Sequence, residues 1–358
     1  MSRKSKQKKP AMNPQSVKLP GKWIDGLRPD MKAVDAAHLV LKARLKSVET
    51  MVPLAAEHAH EDDKHIHQLR VATRRSAAAL RVFRSVSRKK PAARMADALR
   101  TLRRAAGDAR TLDVQLLALR GIRAEFTGGA RVLLEEFIDD LIQRRVEAQD
   151  NVRQVTGETS VSHLKKLRKQ LLSSLRSPKV PVVLSTSSSD KGLPLSFRQL
   201  GELTMPRVAQ AVRRAGEADL RVIDNLHELR LRGKRLRYAA ELFRCCEGEL
   251  FASRYERLES FQESLGEIND AHEMLDTVQA FVTRRLERRR QLLNGRSNDI
   301  RDARAAAGDE LIEQFRQRRD DSVRIFLDAW RAGAWQDLWP VGSSRNDRVD
   351  DAAVRTRP

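Results

Sequence analysis

Residues His67–Phe83 read H-Q-L-R-V-A-T-R-R-S-A-A-A-L-R-V-F, and residues His227–Phe243 read H-E-L-R-L-R-G-K-R-L-R-Y-A-A-E-L-F. At a constant offset of 160 residues, His67 matches His227, Leu69 matches Leu229 and Arg70 matches Arg230. Arg74 then matches Lys234, Arg75 matches Arg235 and Phe83 matches Phe243. A repeat of this length marks two copies of one structural unit. Because the repeated residues are mostly cationic, the duplicated feature reads as a site for anions.

A helix turns about 100° per residue, and with His67 at zero Arg74 falls near −20°, Arg81 near −40° and Arg70 near −60°. Val71, Leu69, Leu80 and Phe83 occupy the opposite arc. In the second copy His227, Arg230, Lys234 and Arg237 form the matching stripe, and Leu229, Leu231, Leu236 and Phe243 form the matching apolar face. Each helix therefore has one face for packing and one cationic face. Like charges three and four residues apart repel. At roughly 7 Å and an effective dielectric near 20, each pair costs on the order of 2 kcal/mol. A helix that carries several such pairs twice over points to an anion that neutralises them, rather than to an ordinary solvated basic face. Arg75 and Arg235 fall near 80°, inside the apolar arc, where a cation must be paired or must point along a crevice. Asp113 and Asp270 on the following helices are the partners expected.

Composition agrees. The 358-residue chain holds 69 Lys and Arg against 48 Asp and Glu, a net charge of +21. Such an excess attracts nucleic acid, an acidic membrane or inorganic polyphosphate. Aromatic residues make up only 4 % of the chain, which argues against a reader of single-stranded bases. Cys245 and Cys246 are adjacent and suggest neither a disulfide framework nor a zinc site, so a reducing, cytoplasmic setting is expected. The basic start lacks the apolar core of a signal peptide, and no run of about 18 apolar residues predicts a membrane span.

The chain reads as all-α. Residues 1–30 hold Pro10, Pro14, Pro20, Pro29 and many lysines, the composition of a disordered basic tail. Helices are expected over 31–52, where Val34, His38, Leu41, Leu45 and Val48 recur, then over 62–86, 91–122 and 130–152, the last resuming after Gly157. Residues 177–195 contain Pro178, Pro181, Pro194 and S-T-S-S-S-D-K-G, a linker between halves. Helices follow at 196–215, 218–246, 249–291 and 298–333, and the chain is expected to fray from about Trp335. Two sets of four helices, 31–176 and 196–335, suggest two four-helix bundles, with a C-terminal tail over 336–358.

The candidate ligand-binding residues are His67, Arg70, Arg74, Arg75, His227, Arg230, Lys234 and Arg235, with Arg81, Arg103 and Arg237 added from the stripes. A patch of Lys165, Lys166, Arg168 and Lys169 is a weaker addition that also reads as a solvated face. Metal ligation by His67 or His227, with His58, His60 and His65 nearby, is disfavoured, because only Glu57-x-x-His60 resembles the carboxylate elements of metal-binding bundles. General acid–base work by either histidine lacks a partner within the motif. The favoured histidine role is hydrogen-bond donation to a phosphate oxygen. No metal or cofactor is expected.

The paired H-x-x-R-x-x-x-[RK]-R helices resemble the conserved histidine α-helical domain, or CHAD, family. Residues 105–117, A-A-G-D-A-R-T-L-D-V-Q-L-L, and residues 264–275, S-L-G-E-I-N-D-A-H-E-M-L, are similar to that family's Gly-x-x-Arg/Asn-Asp element. Gly107 answers Gly266 and Arg110 answers Asn269, while Thr111 stands where the second copy has Asp270. The resemblance spans about residues 31–335. It implies two helical bundles related by an internal pseudo-two-fold axis, with basic residues of both halves lining a central groove. It also implies binding of inorganic polyphosphate and association with polyphosphate granules. The Glu-x-Glu-x-Lys element of the triphosphate-cleaving domain found in some members is absent here, so that activity is not implied and the chain is expected to be a binding protein rather than an enzyme. The alternatives are a non-specific nucleic-acid-binding protein acting through the acid-free 1–22 tail, and a metal-dependent polyphosphate hydrolase.

Overall fold

The computed structural model describes residues 21–59, 64–179, 193–293 and 299–340, with side chains for all of these except 289–293 and 299–304. Residues 1–20 of the expected tail, linker residues 180–192, residues 341–358, and His60 and Asp62 lie outside the described residues. The described residues form nine α-helices and no strand: α1 (Ala33–Glu57), α2 (Lys64–Val82), α3 (Lys89–Ile122), α4 (Gly128–Glu158), α5 (Val161–Ser173), α6 (Phe197–Gly216), α7 (Ile223–Phe243), α8 (Phe251–Leu293) and α9 (Asp299–Arg331). Short 3₁₀ turns, Phe83–Ser85 and Arg244–Cys246, end the two helices that carry the repeat.

Local chemistry explains most of the boundaries. Ser196 opens α6 with a capping box, its hydroxyl accepting from Gln199 N at 3.2 Å while Gln199 Oε1 accepts from Ser196 N at 3.0 Å. Ser160 caps α5 by accepting from His163 N at 3.3 Å. The expected fourth helix therefore stops at Glu158, and α5 is a separate element that gives the first half five helices instead of four. On α1 the buried face is Ala33, Ala36, Ala37, Val40, Leu41, Leu45 and Val48, whereas His38 points to solvent. Helix α7 begins at Ile223 rather than 218, after an exposed turn in which Asp219 accepts from Arg221.

The first helices of the two halves start side by side. Ala33 N donates to Leu195 O and Phe197 N donates to Met31 O, both at 2.8 Å. Phe83 and Phe243, the last residues of the two repeat copies, both pack on Phe197, with ring centroids 6.2 and 4.9 Å away. All three rings are fully buried. Burial of each such side chain is worth about 1.5–3 kcal/mol, so the join between the copies is a principal source of cohesion.

The buried residues group into two clusters, and each draws on both halves. The larger unites α1, α2, α5, α6 and α7 with the first parts of α3 and α8. The smaller joins the ends of α3 and α8 to the starts of α4 and α9, where Phe137 meets Phe281 at 5.1 Å. Two flanks depart from expectation. Residues 21–30 dock instead of trailing as tail: Trp23 stacks edge-on against Tyr255 at 5.2 Å, and Lys22 Nζ pairs with Glu259 at 2.7 Å. Trp335, Leu338 and Trp339 are buried rather than frayed, because they cover the exposed edge of the larger core beside Phe261 and Phe326.

Candidate anion-binding site

Helices α2 and α7 pack against each other, with α3 and α8 alongside. Leu69, Ala72 and Ala79 of α2, and Leu229, Leu236 and Ala239 of α7, turn into the core. That packing brings Arg70 and Arg74 of one copy beside Arg230 and Lys234 of the other. Burial, then the charges of Arg230, Arg74 and Arg70, pull the Lys234 ammonium down from 10.5 to about 6. Burial followed by the neighbouring Arg74 charge lowers Arg70 to about 10. Arg230 is lowered chiefly by burial, with Asp270 opposing and Arg74 adding. The two cationic stripes thus meet at one place.

Part of the donor capacity there is already used. Arg70 Nη1 donates to Gly107 O at 2.8 Å. Arg230 Nη1 donates to Asn269 Oδ1 at 3.1 Å, and its Nη2 lies 3.8 Å from Asp270 Oδ1. Asn269 Nδ2 donates to Glu273 at 2.7 Å, which orients the amide so that its oxygen faces Arg230 and His227. His227 Nδ1 lies 3.1 Å from that oxygen and must carry the hydrogen. Its Nε2 then donates to a ligand only when the ring is protonated. The Nε groups of Arg230 and Arg237 are buried without a hydrogen-bond partner. Two acids, Asp270 and Glu273 of α8, face Arg70, Arg74 and Arg230, so the excess is positive even with Lys234 neutral.

A second group continues the first. Arg103 of α3 is lowered by burial and then by Arg74, and Arg81 by burial and then by Arg235 and Arg103. Arg81 and Arg235 still reach solvent. Arg237 lies over the Tyr238 ring, 5.3 Å from its centroid.

The carboxylate partners differ from those expected for Arg75 and Arg235. Arg75 Nε donates to Glu241 Oε2 at 3.0 Å, not to Asp113. Asp113 instead takes Arg145 at 2.5 Å, because that part of α3, from Leu112 on, packs with α4 in the smaller core and not with α2. Asp270 pairs with Arg230, leaving Arg235 beside Arg81. Glu241 is buried and also accepts from Tyr255 OH at 3.1 Å. Arg44, equally buried, donates to Gly21 O and Lys22 O and feels both Arg75 and Glu241. Its place on the core side of α1, three residues after Leu41, was a signal that a buried cation needed an anion nearby. Glu241, Glu273 and Tyr255 carried no such signal.

The α5 patch is set apart from this site. Helix α5 packs chiefly on α1 and α3, Arg168 is bound to Glu49 at 2.7 Å, and Lys165, Lys166 and Lys169 face solvent. His67 is exposed at the start of the α2 stripe. No helix among the described residues is long and apolar enough to cross a membrane.

The family model of the CHAD domain matches residues 40–279. Among solved structures, the CHAD domain of the plant Ricinus communis is similar with a TM-score of 0.60 and 21 % identity, over 87 % of this chain and 97 % of that one. PptA from Streptomyces chartreusis is similar with a TM-score of 0.58 and 19 % identity, over 84 % and 99 %. No curated protein matches the chain in sequence. The paired motif, the junction of its two copies and a family match over two thirds of the residues agree: the chain belongs to the CHAD domain family.

Proposed function

We propose that the protein binds inorganic polyphosphate at the α2–α7 junction without cleaving it, and that it joins polyphosphate granules through this polymer. The observation that carries the reading is the meeting of Arg70, Arg74, Arg230 and Lys234, close enough for the Arg74 charge to press on the other three, against only Asp270 and Glu273. Arg81, Arg103 and Arg235 prolong the basic track. A flexible chain with about one charge per phosphate suits such a track, which offers nothing to read a base sequence. Guanidinium groups meet phosphate oxygens bidentately and lysine acts as a point charge. Membership of the CHAD family supports the same ligand. Phosphoryl transfer ordinarily needs a divalent metal held by carboxylates, and at this junction Asp270 and Glu273 are engaged with Arg230 and Asn269.

Titration of polyphosphate of defined length into the wild type and into an Arg70, Arg74, Arg230, Lys234 alanine variant tests the reading. Binding is expected to weaken steeply with salt and to be lost in the variant. A variant that binds as tightly as the wild type, nucleic acid displacing the polymer from these helices at equal charge, or phosphate release on adding magnesium would overturn it.

A further inference from the structure

Cys245 and Cys246 lie in the 3₁₀ turn that closes α7. Their Sγ atoms are 4.0 Å apart and both side chains are half-buried, so a small reagent can reach them. The turn is held from two sides: Glu247 N donates to Arg244 O, and Arg198 Nη1 of α6 donates to Cys246 O at 3.5 Å.

We propose that the two thiols form one site for a soft, thiophilic centre of the trivalent arsenical class, bridged by both sulfurs. Direct closure to a disulfide is poorly served here. It would bring the sulfurs to about 2.05 Å with Cα atoms only about 3.8 Å apart, below the usual disulfide range. A bridging atom needs no such closure. Soft thiolate ligands favour soft centres. Tetrahedral zinc asks for four ligands, and no group of three or more His, Cys, Asp or Glu gathers among the described residues. A trivalent arsenical needs two sulfurs from the protein and brings its third substituent with it.

The reaction balances without an oxidant. Two As–S bonds form and two As–OH bonds break. The two thiol protons leave with the hydroxyls as water, and arsenic stays trivalent. Cys245 is the entering nucleophile. The hydrogen bond from the Cys246 thiol, aided by the Arg198 charge and opposed by burial, brings its pKa from 9.0 down to about 7. Cys246, held in its thiol form beside that thiolate, closes the ring second.

Phenylarsine oxide titrated into the reduced full chain, with free thiols counted by a chromogenic disulfide reagent, tests the site. One equivalent is expected to remove both thiols. A dithiol is expected to restore them where a monothiol does not. Cys245→Ser and Cys246→Ser are each expected to lose this dithiol-reversed binding while melting like the wild type. Consumption of two equivalents, one per thiol, or serine variants that hold the arsenical as tightly as the wild type would overturn the proposal. The wild-type stoichiometry decides the matter even where a variant fails to fold.

Discussion

Arg81 and Glu241 hold the same place in the two copies of the repeat and carry opposite charges, so that Glu241 accepts from Arg75 while Arg81 stands beside Arg235, the counterpart of Arg75. One copy of the contact is a partly buried ion pair and the other a pair of like charges. The pair knits α2 to α7 next to Tyr255 and Arg44. The like charges, reinforced by Arg103, extend the basic track towards solvent.

Stability therefore responds oppositely to equivalent substitutions. Arg75→Met leaves Glu241 buried without its cation and is expected to cost about 3 kcal/mol. Arg235→Met removes a charge pressing on Arg81 and is expected to leave the protein as stable or slightly more so, while weakening polyphosphate. Urea midpoints check both, and equal losses from the two substitutions would contradict the assignment.

Gly233 lies within α7 where the first copy has Thr73. A Cβ there would lie 2.2 Å from Gln262 Nε2 and 2.8 Å from Phe261 Cε1. Alanine ordinarily stabilises a helix interior by about 1 kcal/mol relative to glycine. Gly233→Ala is expected to destabilise nonetheless, because the buried Phe261 ring, packed on Phe326 and Trp335, has little room to move. Thermal melting that rises on this substitution would show that the close packing of α7 on α8 does not depend on the glycine.

Lys234 links the site to protons. With a folded pKa of about 6 against 10.5, the unfolded chain binds the proton and the folded chain does not between those values. Stability from this group therefore rises with pH across that window and falls as pH drops towards 6. An anion beside Lys234 restores its charge, so polyphosphate binding near pH 7.5 is expected to take up about one proton. Calorimetry in buffers of different ionisation enthalpy reads this uptake, and Lys234→Met is expected to abolish it. Binding heats that do not vary with buffer would contradict a neutral Lys234 in the free site.

Much of this was legible in the chain. The 3.6-residue period around His67 and His227 located both cationic stripes and both core faces, because burial and charge alternate with the helix itself. The proline- and serine-rich stretch 177–195 put the start of the next helix at 196, and α6 begins at Phe197. The partners of Arg75 and Arg235 were not legible, because nothing local reports which helix lies alongside: α7 supplies Glu241, whereas Asp113 is claimed by Arg145 of α4. The docking of Trp23 and Trp339 on Phe251 was hidden for a related reason, since a basic, proline-rich first flank and a last flank with Pro340, Gly342 and Ser343 look solvated until a long-range apolar edge is there to receive them.

The central claim is that both repeats build one site. Titration calorimetry with a short polyphosphate measures the number of sites per chain in the wild type, in Arg74→Ala and in Lys234→Ala. One site per chain, weakened by either substitution and with non-additive losses when both are present, is the predicted result. Two sites per chain, each lost only with the substitution in its own copy, would contradict it.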